Sequence, residues 1–123
     1  DGLDEFSLAT RTHVVEMRDG AFSERLYSPE ELGVQSQSLI GLEVSSGAES
    51  AALIRDAFGK RRGPHAGKAA DIVALNAGAA IYVSGITETV RRGVELAQDM
   101  IHSGLALERI EALAGFCACL ESE

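Results

Sequence analysis

The chain has 123 residues, 46% of them hydrophobic and 24% charged, and 19 acidic against 11 basic side chains leave a formal net charge of −8. That length suffices for one domain with its own core, and the negative balance repels a phosphate backbone and so argues against nucleic acid as a partner. Aromatic residues make up only 5% and Trp is absent, which favours closely packed helices over an aromatic-rich sandwich, and no apolar run approaches the ~20 residues of a membrane span.

In chain order, residues 1–10 are mixed and carry Gly2 beside the adjacent acids Asp4 and Glu5; they read as a loop, or as a loop leaving a strand. Thr12 to Arg18 and Ala21 to Tyr27 are extended-looking runs separated by Asp19-Gly20. Asp-Gly between such runs predicts a two-residue hairpin, because a primed turn needs positive φ. Ser28-Pro29-Glu30-Glu31 predicts a helix start with a Ser-x-x-Glu capping box, stopped after about one turn by Gly33. From Val34 to Gly47 the chain reads as a partly packed connection anchored by Leu39, Ile40, Leu42 and Val44.

Everything further on reads as helical. Ala48 to Phe58 puts Leu53, Ile54, Ala57 and Phe58 on one face, and Gly59 ends it. Lys60 to Lys68 is a basic loop with Gly and Pro. Ala69 to Val83 is apolar almost all round, with Asn76 as its main polar interruption, which predicts a helix buried among other elements. Val90, Val94, Ala97 and Ile101 recur at helical spacing behind a Thr87 cap, and Gly104 closes that helix. A last helix, Ala106 to Leu120, is expected to pack through Ile110, Leu113, Ala114, Cys117 and Leu120. Cys117 and Cys119 are the only cysteines. Two residues apart on a helix they face different sides, so they read as buried thiols in a reducing compartment, which points to the cytoplasm. A two-stranded ribbon is marginal alone and an all-round apolar helix needs cover on every side. Residue 1 is Asp, not Met. The whole of 1–123 is therefore expected to be a carboxy-terminal portion of a larger α/β enzyme: a β-hairpin followed by several α-helices, with a sheet supplied from elsewhere.

Three patterns bear on chemistry. Gly63-Pro64-His65-Ala66-Gly67-Lys68 looks like a phosphate-binding loop but has three residues between its glycines instead of four, Ala69 after the lysine, and no preceding strand; it reads as a solvated loop. His13, His65 and His102 share no spacing and assemble no catalytic arrangement. Asp4-Glu5 is the remaining candidate. Adjacent carboxylates are common on surfaces, yet hard oxygen ligands suit Mg²⁺, which takes one or two protein carboxylates plus water and substrate phosphates. On extended backbone the two would point in opposite directions, serving neighbouring ions or one ion and a water.

The stretch Asp1-Gly2-Leu3-Asp4-Glu5-Phe6-Ser7 closely resembles the Asp-Gly-Leu-Asp-Glu-hydrophobic-Ser segment of anthranilate phosphoribosyltransferases. The likeness continues in register through the hairpin of Val15 to Ala21, the turn of Tyr27 to Gly33, Gly63-Pro64, the Leu-Asn-Ala-rich helix of Ala74 to Tyr82, and the closing helices from Gly93 to Gly104 and Leu113 to Phe116. The resemblance implies phosphoribosyl transfer from phosphoribosyl diphosphate to anthranilate in tryptophan biosynthesis, an α/β catalytic domain behind an amino-terminal helical one, and a homodimer. It also implies that Asp4 and Glu5 belong to the magnesium site and that Asn76 serves helix packing. The family's Gly-rich phosphate loop and anthranilate-contacting Arg lie upstream of these residues, so the chain by itself is expected to be inactive. A paralogue of the same fold that binds nucleic acid instead of catalysing is the alternative, opposed by the −8 charge and the intact acidic pair; a related nucleoside phosphorylase accounts less well for this pattern.

Overall fold

The computed structural model describes residues 1–120. Among them the chain forms strands β1 (Thr12–Arg18) and β2 (Ala21–Tyr27), a 3-10 turn (Glu30–Leu32), and helices α1 (Gly47–Phe58), α2 (Ala66–Val83), α3 (Val90–His102) and α4 (Leu105–Leu120). The strands pair antiparallel from Thr12↔Tyr27 to Arg18↔Ala21. Asp19 and Gly20 carry them round at φ 51° and 78°, the primed geometry that matches the twist of the flanking strands. The capping box also forms: the Glu31 N–H donates to Ser28 Oγ at 3.3 Å, and Ser28 N–H donates to Glu31 Oε2 at 2.8 Å. Gly33, at φ 86°, ends the turn.

The core lies around α2. Its Ala69, Ala70, Ala74 and Leu75 are buried with Val90, Val94, Ala97 and Ile101 of α3, Ala57 of α1, and Leu8, Leu32 and Val34 from the loops. The small residues of α2 let its neighbours come close. At Gly78 an added Cβ would stand 2.5 Å from the Val94 backbone nitrogen, and at Gly93 one would run into the Gly78 carbonyl oxygen. The two backbones therefore touch, and no side chain fits between them. On the other side α1 closes over α2 through Ala57, with Leu53, Ile54 and Phe58 half-buried, as the helical pattern predicts. The loops are tied down by polar contacts: Gln37 N–H donates to the Leu8 carbonyl at 3.0 Å, and the Gln37 side chain to Asp71 of α2 at 2.8 Å.

Several expectations are corrected. α2 starts at Ala66, three residues before Ala69, so the basic loop is shorter. Lys68 lies on this first turn and donates to the Ile40 carbonyl at 2.7 Å. The cap of α3 is Thr89, whose extended backbone lets its side chain accept from Arg92 N–H. Thr87 instead donates to the Thr89 carbonyl. In the connection Val34 is the buried anchor, while Ile40 and Val44 are exposed.

The largest correction concerns α4. No residue of it is buried; Ile110 is half-buried, and Leu113, Ala114, Cys117 and Leu120 are exposed. Cys119 is exposed as well, so the expectation of buried thiols fails for both cysteines. Periodicity identifies the apolar side of a helix, but not what stands opposite it. After the reversal at Gly104 (φ 85°), α4 leaves α3 and α1 within its first two turns. The hairpin likewise exposes Val15, Met17, Phe22 and Leu26.

Gly93→Ala is expected to lower stability by about 1–3 kcal/mol, the cost of overpacking a filled contact. Gly115 has nothing within 4 Å of an added Cβ, so Gly115→Ala is expected to raise stability by about 0.5–1 kcal/mol through helix propensity alone. Urea unfolding of both variants measures the contrast.

Candidate functional site

The acidic pair lies in a loop whose shape is set by its own flanking residues. The Asp1 carboxylate accepts from Leu3 N–H at 3.2 Å and from the Ser7 hydroxyl, joining the two ends of the Asp1–Ser7 segment. Gly2 takes φ 91°, a region open to glycine and poorly open to residues with a Cβ. Asp4 and Glu5 consequently sit in a bend, and the opposite-facing arrangement expected for extended backbone does not apply. Both are exposed.

Beyond the bend the chain is held firmly. Phe6 N–H donates to Asn76 Oδ1 at 2.8 Å, and Asn76 Nδ2 donates to the Phe6 carbonyl at 3.0 Å and to the Ile72 carbonyl at 3.0 Å. One carboxamide thus satisfies both backbone groups of the residue next to Glu5. Ser7, which is buried, donates its N–H to Thr12 Oγ1 at 3.0 Å and accepts Ala9 N–H on its hydroxyl at 3.0 Å. Leu8 is then fully buried in the core.

The hairpin is fastened to the helices by aromatic residues. Tyr27 packs against Phe6 with ring centroids 6.0 Å apart, and the Arg25 guanidinium lies 4.5 Å from the Tyr27 ring centre. At the end of α2 the Tyr82 hydroxyl donates to Glu16 Oε1 at 2.5 Å, and Arg18 reaches the same hydroxyl at 3.4 Å. Between hairpin and α2 lies an open groove of about 800 Å³, lined in part by Phe6, Glu16, Arg18, Tyr27, Tyr82 and Glu88. Neither Asp4 nor Glu5 lines it.

Neither Asp4 nor Glu5 makes a hydrogen bond or ion pair with the described residues, so their oxygens are available to a ligand. No group of three or more His, Cys, Asp or Glu side chains is gathered for a metal among the described residues. This donor set does not fit a closed site of the zinc kind, which needs four protein ligands. It does fit Mg²⁺ held by one or two carboxylates and completed by water and substrate phosphate oxygens.

The three histidines stay apart. His13 meets Glu24 at 3.2 Å, His102 lies between the Gln98 carbonyl and Arg61, and His65 packs beneath Gly41. In the basic loop, the Asp56 carboxylate accepts the N–H groups of Arg62 and Gly63 at 2.9 and 2.8 Å, so the P-loop-like stretch is organised by an acid and shows no phosphate cradle. Sequence reasoning missed the parts played by Asp1, Ser7, Thr12 and Asn76 around the acidic pair. The one available signal was Asn76 itself, since a polar side chain on an apolar helix must find a partner.

Residues 1–107 match the family model described as "Glycosyl transferase family, a/b domain". The chain is 57% identical over 98% of its length to anthranilate phosphoribosyltransferase of Cellvibrio japonicus, and 50% identical over 100% of its length to that of Azotobacter vinelandii. It spans about a third (35%) of the length of those relatives. A crystal structure of anthranilate phosphoribosyltransferase from Thermus thermophilus aligns with a TM-score of 0.78 at 34% identity, covering 94% of this chain and 33% of that one. No helix among the described residues is long and apolar enough to cross a membrane.

The hydrogen bond to Glu16, together with partial desolvation, raises the Tyr82 phenol above the ordinary tyrosine range. Because the folded value lies above the unfolded one, this stabilisation is complete below the ordinary range and is lost as pH rises through the folded value. A phenolate-absorbance titration, assigned by comparison with Tyr82→Phe, is expected to show Tyr82 ionising late. Glu16→Gln should move it to lower pH; no movement would mean the bond does not govern the phenol.

Proposed function

The chain belongs to the glycosyl transferase family through its a/b domain, and from that premise we propose that it carries the metal-binding acidic segment of an anthranilate phosphoribosyltransferase. The observation behind this is the pair Asp4 and Glu5, exposed, without a partner among the described residues and held on a loop braced against α2. The identity to anthranilate phosphoribosyltransferases over nearly the whole chain supports the choice of reaction.

In that reaction a phosphoribosyl group passes from phosphoribosyl diphosphate to the amine of anthranilate, and negative charge develops on the departing diphosphate. Mg²⁺, when bound, supplies the charge that neutralises it. Asp4 and Glu5 hold the cation through carboxylate oxygens, and the Asp1–Ser7 closure keeps the two acids on one short loop. The same charge character makes the segment a poor contact for phosphate without a cation. It also argues, with the net charge of −8, against a nucleic-acid-binding role.

As a domain, residues 1–123 form the carboxy-terminal portion of the α/β unit, and the apolar residues exposed on the hairpin and α4 suit contact with further protein. Assembly as a homodimer, implied by the family resemblance, and a cytoplasmic location, in keeping with two cysteines that form no disulfide, complete the proposal. The phosphate-cradling and anthranilate-recognising groups lie outside this chain, which by itself is expected to show no turnover.

A hybrid tests the reaction. The matching 35% of the Cellvibrio japonicus enzyme is replaced with this chain, and anthranilate consumption is followed by fluorescence with phosphoribosyl diphosphate and Mg²⁺. The hybrid should be active, and Asp4→Asn and Glu5→Gln should each lower kcat/KM by roughly 100-fold, in line with loss of a metal-site group. An active hybrid indifferent to both substitutions would contradict the assignment of the pair.

A further inference from the structure

The acidic pair has no partner among the described residues, so its placement relative to the folded core depends on whatever holds the adjacent backbone. At Phe6 that hold comes from one side chain. Asn76 sits in the middle of α2, 70 positions away in sequence, on a helix whose small residues otherwise serve packing. All the hydrogen-bonding groups its carboxamide engages are backbone: Phe6 N–H, Phe6 carbonyl and Ile72 carbonyl. The pairing to Phe6 is two-point, as between neighbouring strands. It fixes the direction of the peptide planes on both sides of Phe6, including the plane shared with Glu5. A single hydrogen bond would leave the segment free to rotate about it.

The base of this clamp is rigid. Two residues beyond Asn76, Gly78 meets the backbone of α3 directly, so α2 cannot shift along or away from α3 without breaking that contact. Thr12 accepts the Ser7 N–H and so shares in holding the Phe6–Ser7 peptide, and Asp1 accepts from the Ser7 hydroxyl, but among the described residues the Glu5–Phe6 peptide is hydrogen-bonded by Asn76 alone. From this geometry we infer that Asn76 is a positioning residue for the cation site: through the Phe6 backbone it holds Glu5 and Asp4 in the arrangement that binds the metal. This goes further than a packing role for Asn76, and it rests on the reading of Asp4 and Glu5 as metal ligands.

The test uses the full chain and Mn²⁺ alone, with binding followed by water proton relaxation and the Phe6 amide followed by hydrogen exchange. Wild type should bind Mn²⁺ in a manner abolished by the double variant Asp4→Asn/Glu5→Gln. Asn76→Ala should speed Phe6 amide exchange and weaken Mn²⁺ binding about 10-fold, the low end for residues that orient ligands from behind. Asn76→Asp keeps an acceptor for Phe6 N–H but sets an oxygen against the Phe6 carbonyl, and should weaken binding as well while remaining folded. Ile101→Val controls for stability: it removes a buried methylene further along α3 with the clamp and the Gly78 contact intact, and should bind Mn²⁺ as wild type does under conditions where circular dichroism shows it folded. Mn²⁺ binding that needs Asp4 and Glu5 but is unchanged in both Asn76 variants would overturn the positioning role and leave the metal reading standing. Absence of any binding that depends on Asp4 and Glu5 would overturn the metal reading, and the positioning role with it.

Discussion

The Asn76 carboxamide meets the backbone of Phe6 at both its N–H and its carbonyl, and the placement of the amino-terminal segment follows from this contact. Backbone groups removed from water must be paired, and Phe6, half-buried between Tyr27 and α2, lies in no strand or helix that would pair it. A side chain supplies what a neighbouring strand otherwise would. Because Asn76 also donates to Ile72 on its own helix, its donors are fully used and its orientation is fixed. The loop bearing the acidic pair is thereby referenced to the best-packed helix in the molecule.

That helix owes its position to the absence of side chains. Gly78 and Gly93 bring two backbones into contact, and alanines along α2 let α1 and the buried loop residues approach from the other sides. At Gly78 and Gly93 an added atom meets backbone, so this part of the core has little freedom to repack. Among the described residues no ion pair offsets the negative charge of Asp4 and Glu5, which is in keeping with the cation site proposed for them. In the proposed reaction Asp4 and Glu5 would hold a cation that neutralises the diphosphate.

What could be read from the sequence was what is local. Asp19-Gly20 specified the hairpin and its register, because positive φ at both positions is a property of those two residues. Ser28 and Glu31 specified their capping box for the same reason. Val90, Val94, Ala97 and Ile101 marked the buried face of α3 correctly. Pattern reasoning failed where the outcome depended on a distant partner. Leu113, Cys117 and Leu120 have the spacing of a core face and are exposed, because nothing described lies opposite them. Thr87 and Thr89 are both competent caps, and backbone geometry chose the second. The acidic pair was visible as chemistry, and the resemblance of its surroundings to a known motif implied the role proposed for it. The devices that shape it were not visible, since Asn76 and Phe6 are 70 residues apart, and the closure of Asp1 on Ser7 requires a bend that no strand or helix pattern predicts.

On the proposed reading a divalent cation is held at one place, the bend at Asp4 and Glu5 braced by Asn76, and not spread over a chain with 19 acidic residues. Paramagnetic broadening of the chain's amide spectrum by substoichiometric Mn²⁺ tests it directly. With a single site at the bend, the signals of Asp4, Glu5 and Phe6 and the Asn76 side-chain amide should broaden first, ahead of those around Glu24, Glu49 and Glu108. Broadening that develops equally around those exposed acids, with no preference for the bend, would contradict it.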